Sequence, residues 1–159
     1  SMRGLNRRVI EALKINWGIT HLEVYLVDGG LLFGEIALRP PGGYIMNAMQ
    51  HAYAFNPWEA MVAIELGEDF DFPDSPVACC GVEIFHPGAG QVVAIRGDDL
   101  VRQHTATREF RLKIQPGDNI SRRESAGQNV GYLVYSCKSA AMRLEVYRYF
   151  HEHFSIEVR

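Results

Sequence analysis

The sequence predicts an α+β fold, a mainly antiparallel sheet with flanking helices, on three observations. The turn triplet Asp28-Gly29-Gly30 joins two runs rich in β-branched and aromatic residues. From residue 77 onward several short strand-like runs follow one another, separated by Gly, Pro and Asp. The helical stretches do not alternate strictly with these strands, which argues against a parallel βαβ sheet.

In chain order, Leu5, Val9 and Leu13 recur at helical spacing between Arg3, Arg7, Arg8 and Lys14, so residues 4–16 read as an amphipathic helix that Gly18 stops. Strands are expected over 19–27 and 31–38, ended by Pro40-Pro41-Gly42-Gly43. Residues 44–55, rich in Ala and Met, read as a short helix. The next helix has explicit signals: Asn56 as N-cap, Pro57 at the first position, Glu59 in the first turn and Gly67 at the end. After an acidic, proline-containing linker at 68–76, strands are expected at 77–85, 91–96 and 110–114, arranged as a meander. Gln115-Pro116-Gly117-Asp118 reads as a turn, 130–137 as another strand, and 139–154 as a long helix with Met142, Val146, Phe150 and Phe154 on one stripe. Ser155 to Val158 closes the chain as a short strand. The division implied is one lobe over 1–159, with a hairpin and helices in 1–76 and a β-rich sub-lobe with the final helix in 77–159.

Composition narrows the function classes. With 47% apolar and 22% charged residues in 159, the chain is globular in character. A formal charge of -3 lacks the basic footprint of a nucleic-acid binder. No apolar run approaches the ~20 residues of a membrane span, and no signal-peptide pattern opens the chain. The three cysteines form neither a disulfide framework nor a zinc spacing, so a cytoplasmic setting is expected, with Cys79 and Cys80 as small hydrophobes on opposite faces of a strand.

The hairpin carries the chemistry. If Asp28-Gly29-Gly30 is a three-residue loop, Val27 pairs with Leu31, Tyr25 with Phe33, Glu23 with Glu35 and His21 with Ala37. Two opposed carboxylates repel each other, and a divalent cation removes the conflict. Magnesium, which takes hard oxygen ligands and often binds through one or two carboxylates plus phosphate, suits the pair. Glu35, Ala37 and Arg39 share a face by the two-residue period. Gly42-Gly43 precedes a helix whose free N–H groups an anion can approach. Arg39, Gly42, Gly43 and His21 are therefore candidates for phosphate or substrate binding, and Glu23 and Glu35 for metal. The plain alternative is two glutamates on a solvated sheet face.

Gly18-Ile19-Thr20-His21-Leu22-Glu23-Val24, a turn, then Gly34-Glu35-Ile36-Ala37-Leu38-Arg39-Pro40-Pro41-Gly42-Gly43 resembles the ATP-grasp ligases, particularly their carboxylate–amine and L-amino-acid ligase branch. Asn56-Pro57-Trp58-Glu59 to Gly67, and Gln115 to Tyr132, are similar too. The resemblance implies the carboxy-terminal lobe of an ATP-grasp fold, with Glu23 and Glu35 holding the magnesium of ATP. It implies Arg39 as the catalytic residue on the phosphoryl group or carboxylate. ATP and Mg2+ would be the cofactors, and small-molecule carboxylate and amine substrates, amino acids among them, the partners. Ala37 stands where many members place a metal-binding Asn. A purine-biosynthetic branch shares Glu-Ile-Ala, so the site reads as altered, not lost.

The lysines, glycine-rich loop and adenine hinge that these enzymes carry upstream have no counterpart before residue 1. An upstream lobe of the same parent is thus an expected partner, the chain alone is expected to be inactive, and Ser1-Met2 reads as a cloning scar. The implied reaction joins a carboxylate to an amine through an acyl phosphate. The alternative is a non-catalytic binding or interaction module that keeps the fold.

Other motifs read as structural. His151 and His153, two apart on a helix, point in different directions. His86-Pro87-Gly88-Ala89-Gly90 lacks the Lys and helix of a phosphate loop. Arg122 and Arg123 sit in a loop that is either solvated or reaches a partner domain or substrate. Trp17 and Trp58 near helix ends read as anchors.

Overall fold

The computed structural model describes residues 1–125 and 127–159. In chain order its elements are α1 (Met2–Ala12), β1 (His21–Val27), β2 (Gly30–Ala37), α2 (Ile45–Tyr53), α3 (Pro57–Leu66), β3 (Cys79–Ile84) and β4 (Gly90–Arg96). There follow α4 (Asp98–Gln103), β5 (Thr107–Leu112), β6 (Asn119–Ile120), β7 (Gly131–Cys137), α5 (Ala140–His153) and β8 (Ser155–Val158). Every strand pairing is antiparallel, so the α+β class expected from the sequence holds. The elements divide into two compact units: Ser1–Pro41 with Asn56–Asp71, and Gly42–Phe55 with Phe72–Arg159.

The first unit holds α1, the β1–β2 hairpin and α3. Helix α1 starts earlier than its apolar stripe suggests, because the Ser1 hydroxyl accepts from the Gly4 N–H at 3.3 Å. It ends at Ala12, short of 16, where Lys14 turns left-handed (φ 55°). Helix α3 has the predicted caps. Asn56 Oδ1 accepts from the N–H groups of Trp58 (3.0 Å) and Glu59 (3.4 Å), while its Nδ2 donates to Glu59 Oε1 at 2.8 Å. At the far end the N–H groups of Gly67 and Glu68 fold back onto the carbonyls of Ile64 and Ala63, a Schellman closure. Trp17 Nε1 donates to the Ile64 carbonyl at 3.1 Å and ties the segment after α1 to this helix.

The second unit contains two three-stranded sheets, in the orders β3-β7-β5 and β6-β4-β8. The expected meander is not formed. β4 pairs with β6 and β8, and β5 pairs with β7. Strand β7 takes the centre of the β3-β7-β5 sheet, where its apolar run Tyr132-Leu133-Val134-Tyr135 is buried along almost its whole length. Gly97-Asp98-Asp99, which separates two of the strand-like runs, opens α4: Gly97 takes a left-handed conformation at the cap and both aspartates lie in the first turn, where the helix dipole favours negative charge. The closing strand is formed, as β8 on the edge of β4.

The core of this unit is Val101, Ala106, Leu133, Tyr135, Cys137, Val146 and Phe150, with Phe85, Phe110 and Phe154 packed against it. Of the expected α5 stripe, Val146 and Phe150 are buried while Met142 stays exposed. Gly81 lies directly opposite Tyr135, and a Cβ on it would come within 2.3 Å of the Tyr135 ring. Glycine is what lets that ring lie across β3.

Candidate functional site

The hairpin reaches the predicted Glu23–Glu35 pairing by a different route. Its loop has two residues, Asp28 and Gly29, with Gly29 at φ 100°, so Val27 pairs with Gly30 and Tyr25 with Leu32. That register is one residue off the one expected from a three-residue loop, and it moves Phe33 to the opposite face, against Val24. The offset is removed between Glu23 and Val24, where Gly34 is the extra residue of a β-bulge. Beyond the bulge Glu23 faces Glu35, Leu22 faces Ile36 and His21 faces Ala37. Glycine is suited to the bulge because a Cβ there would lie 3.0 Å from the Glu23 carbonyl oxygen and 3.1 Å from Tyr25 Cε2.

On this face His21 Nδ1 stands 3.9 Å from Glu23 Oε1, and the Glu23 side chain is 60% exposed. Glu35 is exposed as well. Arg39 lies two residues past the end of β2, where strict alternation has stopped. Its Nη1 donates to the Pro40 carbonyl at 3.0 Å, and among the described residues no ion pair joins it to Glu23 or Glu35. Glu23 and Glu35 bring opposed carboxylates, the oxygen donor type that a hard cation takes. They do not form an all-protein cage: among the described residues no three His, Cys, Asp or Glu side chains group to hold a metal.

Gly42 and Gly43 belong to the second unit and lead into α2. Gly43 and Tyr44 are both left-handed (φ 62° and 61°), and no side chain caps the helix. The first-turn N–H groups of α2 thus lack the side-chain acceptor that α3 has in Asn56.

A polar network under α2 was not anticipated from the sequence. The Glu109 carboxylate on β5 receives Asn47 Nδ2 at 3.2 and 3.0 Å, Tyr132 Oη at 3.1 Å, and lies 3.1 Å from His51 Nε2. Partial burial and the bond to Glu109 raise the Tyr132 pKa, keeping the phenol a donor. The Tyr44 ring stacks on Tyr132 with centroids 3.7 Å apart, and its hydroxyl donates to Asn129 Oδ1 at 3.3 Å. Lys113 Nζ reaches the same oxygen at 2.7 Å. This network clamps the start of α2, and with it the turn after Gly42-Gly43, to the sheet. One signal was present: Asn47 and His51 are four apart in a helix, so they share a face.

The other flagged residues have structural partners. His151 Nε2 is 3.5 Å from Glu83 Oε2 and packs on Tyr147, whereas His153 Nδ1 bonds the Tyr149 carbonyl at 2.8 Å. Cys79 pairs across strands with Cys137, and all three thiols are free. Burial raises the Cys80 and Cys137 pKa values. Among the described residues no helix is long and apolar enough to cross a membrane.

Comparison with known proteins gives this architecture its relatives. Residues 83–159 match the family model for L-amino acid ligase C-terminal domain 2. An L-arginine-specific L-amino acid ligase of Bacillus subtilis is 32% identical over 74 residues, which are 46% of this chain and 18% of that protein. The crystal structure of L-amino acid ligase from Bacillus licheniformis superposes over 98% of this chain with a TM-score of 0.80 at 21% identity. Phosphoribosylglycinamide synthetase from Anaerococcus prevotii covers 96% at 0.76 and 12% identity. N5-carboxyaminoimidazole ribonucleotide synthetase from Thermotoga maritima covers 99% at 0.69 and 16% identity. The chain spans 40%, 40% and 42% of those three structures, respectively. The recognition drawn from the sequence is therefore met: over residues 83–159 the chain matches the second C-terminal domain of L-amino acid ligases, and over nearly its whole length it has the fold of the carboxy-terminal portion of ATP-grasp ligases.

Proposed function

We propose that this chain is one wall of the active site of an ATP-dependent ligase that joins a carboxylate, such as that of an amino acid, to an amine. The observation that carries the reading is the Gly34 bulge, beyond which two exposed glutamates stand opposite each other, like charges that a cation between them would relieve. In this reading Glu23 and Glu35 hold magnesium, which supplies charge neutralisation for the phosphates of ATP. Arg39 binds the transferring phosphoryl group or the substrate carboxylate. Gly42, Gly43 and the uncapped start of α2 offer N–H groups to an anion, and His21 orients Glu23 or a substrate group. The substrate carboxylate attacks the γ-phosphorus, ADP leaves, and the amine displaces phosphate from the acyl phosphate.

The hairpin supports a second lobe as partner. Tyr25, Leu26, Val27, Leu32 and Phe33 are all exposed on a sheet of only two strands, an arrangement that is marginal by itself. An upstream lobe of the same parent covers them and brings the remaining nucleotide contacts.

The test compares the 159-residue chain with its parent protein. The chain alone releases no ADP from ATP; ADP release by it refutes the dependence on a partner lobe. The parent releases ADP with at least one amino acid, and Glu35→Gln abolishes this. If no amino acid elicits ADP and Glu35→Gln leaves nucleotide binding unchanged, a non-catalytic binding module is the correct reading.

A further inference from the structure

The second unit contains an open cavity of about 350 Å³ between the end of β3, the last turn of α5 and the start of β8, a volume suited to a small organic ligand. Its floor belongs to the core: Leu133 is 1% and Phe150 3% exposed. Phe85 and Phe154 also line it, with ring centroids 4.9 Å apart. One residue is out of keeping with such walls. Glu83 pairs across strands with Leu133, and directly opposed residues share a face of the sheet, so its side chain lies on the face of β3 that meets the core.

The Glu83 side chain is 25% exposed. A carboxylate withdrawn from water in this way costs free energy that a charged or hydrogen-bonding partner has to offset. His151 Nε2 lies 3.5 Å from Glu83 Oε2, on a side chain that is 55% exposed and packed against Tyr147. That distance exceeds an ordinary hydrogen bond, and a carboxylate accepts at about four lone-pair positions, so Glu83 keeps acceptor capacity for a further donor. The fixed charge facing the hollow has one sign: among the described residues no Lys or Arg lines it. His86 does line it, and desolvation together with the charge of Arg123 lowers its pKa, so near neutral pH its imidazole adds no positive charge. Glu83, His86 and His151 do not converge on a metal, since among the described residues no three such side chains group to hold one.

We infer that this cavity binds a small organic ammonium, which donates its N–H groups to the Glu83 carboxylate and lays its apolar body against Phe85, Phe150 and Phe154. A carboxylate takes an ammonium in a charge-assisted hydrogen bond, and aromatic rings both attract a cation and cover the carbon skeleton attached to it. No residue of this cavity belongs to the hairpin or the glycine turn. The proposal therefore stands apart from the ligase reading, and Glu35→Gln should bind the same ligand as well as the unaltered chain does.

The test is a titration of the 159-residue chain near neutral pH, followed by calorimetry and by the methyl resonances of Ile84, Leu133 and Ile156, which line the same cavity. The probes are phenethylammonium, phenethyl alcohol, phenylacetate and methylammonium. Phenethylammonium is expected to saturate and to shift those methyls. Phenethyl alcohol, with the same body and no charge, and phenylacetate, with the opposite charge, are not, and methylammonium, a charge without the body, should bind about tenfold more weakly or worse. Glu83→Gln should weaken phenethylammonium about tenfold, while Glu145→Gln on the exposed side of α5 should leave it unchanged. Should Glu83→Gln fail to fold, the probe series and the methyl map on the unaltered chain decide alone. No saturation by phenethylammonium, any other probe binding as well as it does, shifts centred away from these methyls, or undiminished binding in folded Glu83→Gln overturns the proposal.

Discussion

Replacing Gly34 with Ala tests the bulge on which the facing glutamates depend. The added Cβ would sit 3.0 Å from the Glu23 carbonyl oxygen, 3.1 Å from Tyr25 Cε2 and 3.5 Å from the Glu23 carbonyl carbon. The ring can swing away, but the carbonyl belongs to the strand and moves only if β1 moves by a few tenths of an ångström. Overpacking of this kind costs about 1–3 kcal/mol. With a urea slope of ~2 kcal/mol/M, the midpoint of hairpin unfolding falls by roughly 0.5–1.5 M. Gly127, where a Cβ meets nothing within 4 Å, is the control, and its Ala variant should shift far less. The assay is amide exchange resolved over β1 and β2 in increasing urea, with manganese broadening of the Glu23 and Glu35 amides as a second readout. If Gly34→Ala keeps wild-type protection and unchanged broadening, the glycine is not what holds Glu23 against Glu35, and the reasoning from the bulge fails.

Other outcomes follow from single contacts. Phe150→Ala empties the centre of the second unit and should cost about 3–5 kcal/mol in thermal or chemical unfolding. Glu109→Ala leaves Asn47, His51 and Tyr132 without their shared acceptor and should cost ~1–3 kcal/mol, with exchange quickened first in α2. On the proposed ligase reading, Arg39→Ala in the parent protein should lower kcat by roughly 10²–10³, a loss typical of removing one charge-stabilising donor. Glu157 is held below the ordinary glutamate pKa by its bond to Arg96, so the stability from this pair is present above the unfolded value of 4.5 and is lost as pH falls through the lowered one. NMR titration should show the Glu157 midpoint rise in Arg96→Gln.

The features legible in the sequence are those that neighbouring residues decide. Asn56-Pro57-Trp58-Glu59 states a helix start because the cap, the proline and the acidic residue act within one turn, and each appears in the structure where the sequence puts it. The meander failed for the opposite reason. Whether β4 turns back on β3 depends on what competes for β3's edge, and the winner, β7, lies some fifty residues downstream in sequence. A connector such as His86 to Gly90 has the composition of a hairpin loop whether or not it closes one. Gly97-Asp98-Asp99 does contain its answer: two acidic residues in succession after a glycine suit a helix N-terminus as well as a break between strands.

The hairpin shows how a correct pairing can come from compensating local choices. A three-residue loop and a two-residue loop with one bulge differ in every pair between the turn and Gly34, yet they agree on Glu23 and Glu35. The isolated glycine in a strand was the available sign, since such glycines mark bulges. Glu109 had no such sign. It meets Asn47 and His51 only because α2 lies on the β3-β7-β5 sheet, more than fifty residues away in sequence, and no spacing along the chain encodes that meeting. The carboxylate face of the hairpin is set by the local pairing of β1 and β2, whereas the seat of the glycine turn is set by tertiary packing. A substitution in the hairpin should therefore act locally on the carboxylate pair, and one in the Glu109 network should act through the position of α2.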